Sequence, residues 1–154
     1  MCKVCWILVL ISAVISGGLA YTFLVKGETI AASDGRKALL LEPGERDLVL
    51  GEMRQFLEAV QIIVAAGEDD MEKVVKTARK VGFAAQQGVP ASLMKKLPLD
   101  FKKLGMGTHK AFDQLAIDAK DLGDKQQVIE QLGQLMNNCV ACHKIYRIDL
   151  ATGK

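Results

Sequence analysis

From Val4 to Val25 the chain reads "VCWILVLISAVISGGLAYTFLV", 22 residues without one charged side chain. Wound as a helix, that stretch is about 33 Å long, enough to cross the hydrocarbon core of a bilayer. A cleaved signal has a shorter apolar core with a small-residue site behind it. Gly18-Leu19-Ala20 offers such a site, but Tyr21 to Val25 stays apolar beyond it. The expectation is therefore a single uncleaved anchor within residues 1–26, with the bilayer as partner through residues 4–25. Cleavage after Ala20 is the second reading, and either routes the rest of the chain to the membrane. Lys3 on one side and Lys26, Arg36 and Lys37 on the other leave the orientation unsettled by flanking charge. Cys2 and Cys5 follow no lipobox and are assigned no role.

Apart from Lys3 and Lys26, 18 basic residues stand against 18 acidic ones, so the remainder is neutral and nucleic acid is not an expected partner. Half of the chain is hydrophobic while only 5% is aromatic, a helical composition. Residues 27–44 read as a linker with one apolar patch, residues 38–41. After Pro43-Gly44, which suits a helix start, Leu50, Met53, Leu57, Val60 and Val64 recur at helical spacing up to Gly67. Asp69 and Asp70 suit the next helix N-terminus, followed by a stripe of Met71, Val74, Val75, Ala78, Val81 and Ala85 that Val89-Pro90 breaks. "ASLMKKLP" is a loop or short helical turn. Phe101, Leu104, Thr108, Ala111, Leu115, Ala119 and Leu122 then share a face that Gly123 ends. Asp124 with Gln127 can cap a last helix whose seam is Val128, Leu132, Leu135, Cys139, Cys142 and Tyr146. Four amphipathic stripes bury one another most economically as an antiparallel four-helix bundle. The expected fold is all-α, a bundle over residues 45–150 behind one N-terminal transmembrane helix.

The last helix carries "CVACH". Cys139, Cys142 and His143 have the C-x-x-C-H spacing at which two thiols can join a haem and the adjacent imidazole can bind its iron. One helical turn brings the two thiols to the same face. A thioredoxin-type redox pair belongs at a helix start in a βαβ setting, and no strand pattern surrounds this one. A zinc site needs two more ligands, and the only other C-x-x-C, Cys2 to Cys5, lies across the apolar run.

A bundle ending in Cys139-Val140-Ala141-Cys142-His143-Lys144-Ile145-Tyr146-Arg147 resembles cytochrome c-prime over roughly residues 45–148. The resemblance implies one covalently attached haem c, with His143 as proximal iron ligand and Arg147 near the haem or its propionates. It places a first-helix residue on the opposite face, where Met53 falls. Met53 as second metal ligand competes with Met53 as core packing, with His109 in "GMGTHKAF", and with Met106. His109 stands one position off the inward face and reads as a boundary or surface residue. Thioethers of c-type cytochromes form after export, which implies a single-pass protein of a bacterial inner membrane with its haem domain in the periplasm. The function expected on these grounds is single-electron transfer in a respiratory or redox chain, with redox proteins at the membrane as partners. Homodimerisation, as in that family, is also open. The alternative is a haem protein that binds or senses nitric oxide or carbon monoxide. No nucleophile–base pair can be drawn, so an enzyme is not expected.

Overall fold

A computed structural model describes residues 3–66 and 70–151; Cys2, Gly67 and Asp69 lie outside the described residues. Helix α1 (Lys3–Tyr21) continues through a π-helical turn, Thr22–Lys26, as one apolar rod of 24 residues with none of its apolar window buried. It is a helix long and apolar enough to contact or cross a membrane. The rod is fastened to the domain behind it. Gly27 takes φ +60°, and a Cβ there would collide with the Pro98 backbone. Glu28 N–H donates to the Lys96 carbonyl at 2.6 Å, and Lys102 Nζ donates to the Leu24 carbonyl at 3.3 Å.

The segment read as a linker carries two strands, β1 (Thr29–Ala31) and β2 (Lys37–Leu41). They pair antiparallel through a turn at Gly35, whose φ is +82°. Six helices are described in all: α1, then α2 (Pro43–Ala65), α3 (Met71–Lys80), α4 (Ala91–Lys96), α5 (Leu99–Leu122) and α6 (Lys125–Ile145). Strand β3 (Tyr146–Leu150) returns to lie parallel to β2, with Lys37 opposite Tyr146 and Leu41 opposite Leu150. The sheet order is β1-β2-β3, so most of the helical array forms the crossover between β2 and β3.

The all-α four-helix bundle expected from the four stripes is thus corrected: the chain is a mixed fold of helices and a three-stranded sheet. The resemblance to cytochrome c-prime, which rests on that bundle and on the terminal motif, is corrected with it. Residues 38, 39 and 41 are the buried centre of the sheet rather than a patch on a linker. The second stripe yields only ten residues of helix, because the chain turns out at Val81-Gly82. The Asp113 carboxylate occupies the place of a Gly82 Cβ and accepts the Phe83 N–H at 2.8 Å. A 3-10 turn, Phe83–Gln86, comes next.

Two apolar clusters hold the domain. In one, Ala59 and Ile63 of α2, Val74 and Ala78 of α3, and Phe112, Leu115 and Ala119 of α5 meet Val128, Leu132 and Leu135 of α6. In the other, Leu39 and Leu41 of β2 pack with Val49, Leu93, Leu97, Phe101 and Tyr146. Local signals set the helix ends. Asp124 caps α6 by accepting the Gln127 N–H at 3.2 Å, and Gly123 ends α5 at φ +64°. Glu42 and Glu45 form a reciprocal capping box on α2, and Lys96 reaches Glu45 Oε2 at 2.8 Å, tying α4 to the start of α2. The inward face of α2 is rotated from the expected stripe. Val49, Ala59 and Ile63 are buried, while Leu57 is 70% exposed.

Candidate functional site

Between the two clusters lies a cavity of about 490 Å³, walled by α2, α4, α5, α6 and the 3-10 turn. Leu93 and Leu97 give it an apolar wall, with Phe101 and Leu104 from α5 beside them. Its rim holds Leu48, Leu57 and Met136, apolar side chains that stand open to solvent. Such an apolar hollow with few polar groups is the usual form of a small-molecule site.

The structure gathers four of the five residues that the sequence singled out. Met53 from α2 and Cys139, Cys142 and His143 from α6 all line this cavity. Met53, Cys142 and His143 also line a smaller hollow of about 160 Å³ next to it, where Arg147 joins them with Arg36 and Arg46. Arg147 is committed to structure on the sheet side: its Nε donates to Asp149 Oδ1 at 2.9 Å, and its Nη1 reaches Asp34 Oδ2 at 3.3 Å. Arg36 binds the same Asp34 at 2.7 Å and donates to the carbonyls of His143 and Tyr146, closing the C-terminus of α6. Hydrogen bonds from Arg36, with Arg147 adding charge, hold the Asp34 carboxyl down at about 2.

Cys139 and Cys142 are free thiols, half-buried in the last turns of α6. Burial pushes both up, Cys142 to about 11 with its neighbour Cys139 adding to the shift. The negative end of the helix dipole acts in the same direction. Neither is a thiolate at neutral pH. Alkylation by N-ethylmaleimide is expected to be slow at pH 7 and to accelerate about tenfold per pH unit until Cys142 ionises near 11. Site-resolved mass spectrometry reads this directly, and fast labelling of Cys142 at pH 7 would contradict the burial.

His109, expected at a boundary, is instead 1% exposed. Its Nδ1 lies 2.8 Å from the Val81 carbonyl and its ring packs on Phe56, with centroids 4.8 Å apart. The Gln86 amide nitrogen stands 2.5 Å from Nε2 and 2.6 Å from Glu52 Oε1, which is itself 3.4 Å from Nε2. Burial opposes a proton on this ring. The Glu52 carboxylate and the Val81 and Gly82 backbone outweigh it and raise the affinity above the ordinary value. Glu52 and Gln86 line the cavity; His109 sits behind them. Sequence reasoning missed this trio because its members come from three separate elements. Met106, the third ligand candidate, also lines the cavity.

Among the described residues, no three of His, Cys, Asp and Glu converge as a metal set. His143 is exposed at the rim. Together with the mixed fold, this corrects the assignment of a covalent haem c and its iron. Electron transfer and gas binding fall with it, since each depended on that group, and the redox partner proteins lose the argument that named them. The periplasmic placement had haem attachment as its argument and loses that support. Comparison with family models, with curated proteins and with solved structures finds no significant match.

Proposed function

We propose that this chain is a membrane-tethered binding protein whose domain takes an apolar small molecule into the cavity between α2, α4, α5 and α6. The observation that carries the reading is the cavity itself, about 490 Å³ with an apolar wall and an apolar rim, reached by two thiols and an imidazole from one helix end. Covering the exposed part of each rim residue with a ligand would recover a fraction of the about 1.5–3 kcal/mol that full burial of such a side chain is worth. Met53, Cys139, Cys142 and His143 are the contacts assigned to the ligand. The N-terminal rod acts as a single-pass anchor, and the activity is binding rather than catalysis.

Protection of the thiols tests this. With the full chain in lipid nanodiscs, N-phenyl-1-naphthylamine at ten times its Kd should slow alkylation of Cys142 at pH 9 about tenfold, because only the empty fraction reacts. Cys5, on the apolar rod far along the sequence from the cavity, is the internal control. Met53→Glu, which places a carboxylate on the apolar wall, should abolish protection while leaving the fold intact, since Met53 is only partly buried. Equal labelling of Cys142 with and without the probe would refute a ligand cavity.

A further inference from the structure

We infer that the ligand of this cavity is a single-chain amphiphile with one negative charge, a carboxylate of the fatty-acid class, its chain in the larger hollow and its head on Arg46 in the smaller one. The inference rests on the proposed binding function and adds the chemical class of the ligand.

Two features of the geometry point there. The first is that the two hollows adjoin and differ in character. Leu50, Met53, Phe101, Cys142 and His143 line both. The larger, about 490 Å³, has the apolar wall of Leu93, Leu97 and Leu104 and the size of a site for one small molecule rather than a two-chain lipid. Its charged lining leans positive, with Arg54 and Lys102 against Glu52. The smaller, about 160 Å³, is lined by Arg36, Arg46 and Arg147 and, among the described residues, by no acidic side chain. Lys102 also donates from Nζ to the Leu24 carbonyl near the end of the apolar rod. With the rod as anchor, that bond sets the cavity beside the bilayer surface, where amphiphiles partition.

The second feature is the charge balance around the smaller hollow. Arg36 and Arg147 share the Asp34 carboxylate, and Arg147 Nε holds Asp149, so two guanidiniums meet two carboxylates. Arg46 is left over. Among the described residues its one acidic partner is Asp47, whose Oδ1 stands 3.9 Å from Nη1, beyond hydrogen-bond length, on a side chain 76% exposed. Glu42 and Glu45, beside Arg46 at the start of α2, are instead 3.7 and 2.8 Å from Lys96 Nζ. Arg147 keeps its Nη2 outside the bonds it makes to Asp149 and Asp34. One uncompensated guanidinium next to an apolar hollow suits one anionic group. A carboxylate seated there accepts paired, charge-assisted hydrogen bonds while its chain leaves water. A neutral head forgoes those bonds, and an ammonium head meets like charge.

The test pairs sodium laurate with methyl laurate, which keeps the chain and lacks the charge. Both are supplied at pH 9 in phosphatidylcholine nanodiscs to the full chain. Protection from alkylation of Cys142, which lines both hollows, gives each Kd as a mole fraction in lipid, so that unequal partitioning does not enter. Laurate is expected to bind about tenfold tighter than the ester, the gain of a charge-assisted hydrogen bond. Arg46→Gln is expected to bring laurate close to the level of the ester while the ester is unchanged. Lys120→Gln removes the same charge about 18 Å of helix rise beyond Thr108 of the cavity and should keep the full preference. Equal affinities of laurate and ester for the wild type, an undiminished preference in Arg46→Gln, or an equal drop in Lys120→Gln would overturn the inference and leave the apolar cavity standing. Protection by phosphatidylglycerol nanodiscs with no laurate added would give the seat to a two-chain lipid and overturn it too. Absence of protection by laurate, the ester and N-phenyl-1-naphthylamine alike would bring down the binding function as well. If Arg46→Gln fails to fold, the wild-type comparison together with Lys120→Gln decides.

Discussion

Phe112→Ala is expected to destabilise the domain by about 3–5 kcal/mol, lowering its thermal midpoint by about 10 °C or more. The ring is 0% exposed at the centre of the helical cluster, where α5 meets α2, α3 and α6. It lies parallel to Phe56, with centroids 5.5 Å apart and planes 8° from coincidence. Truncation removes the buried ring and leaves a hole that four helices cannot close together, because each is held by its own caps and turns. It also frees Phe56, which lines the cavity and carries the His109 ring. Some loss of ligand affinity should therefore accompany the loss of stability. Circular dichroism of the full chain in detergent, followed against temperature, measures the effect; a shift under 1 kcal/mol would show that the helical cluster is not a cooperative core.

Leu39→Ala should cost about 2–5 kcal/mol by a different route. Leu39 is also 0% exposed, but it sits on the middle strand of the sheet, opposite Thr29 of β1 on one side and Ile148 of β3 on the other. Its cluster holds Leu93, Leu97 and Phe101, which form one wall of the cavity. Loosening that wall is expected to weaken binding of an apolar probe even at temperatures where the protein stays folded. The pair of variants separates the two clusters: Phe112→Ala strikes the helical core first, Leu39→Ala the sheet and cavity wall first. Urea unfolding followed by probe binding and by helical signal should give coincident transitions for the wild type. For Leu39→Ala the probe should be lost at the lower urea concentration. A Leu39→Ala chain with wild-type stability and affinity would mean the sheet is no part of the binding domain.

Much of the helical content was legible because its signals are short-range. Asp124 and Gly123 act within a turn of themselves, and α5 ends and α6 begins where they direct. The apolar run at the start is helical for the same local reason. The thiols and imidazole of the last helix were likewise marked out, and the structure places them together at the cavity. Their chemistry was another matter. The C-x-x-C-H spacing is compatible with a haem, but spacing describes a segment and a cofactor site is a convergence of several; the set that would hold the metal does not converge among the described residues.

The sequence by itself therefore determined the apolar rod, the helices whose caps it carries, and the presence of two thiols and an imidazole on one helical end. The tertiary structure alone decided the sheet, the burial of His109 and the cavity. Tyr146, Ile148 and Leu150 alternate with Arg147 and Asp149, a period of two that fits a strand. A five-residue run can become one only when a partner is found, and that partner, residues 37–41, lies at the far end of the domain sequence. His109 similarly owes its place to Glu52, Val81 and Gln86, contributed from separate parts of the chain. Caps and periodicity act through the local backbone, whereas strand pairing and polar clusters depend on contacts between distant residues, so only the folded chain can specify them.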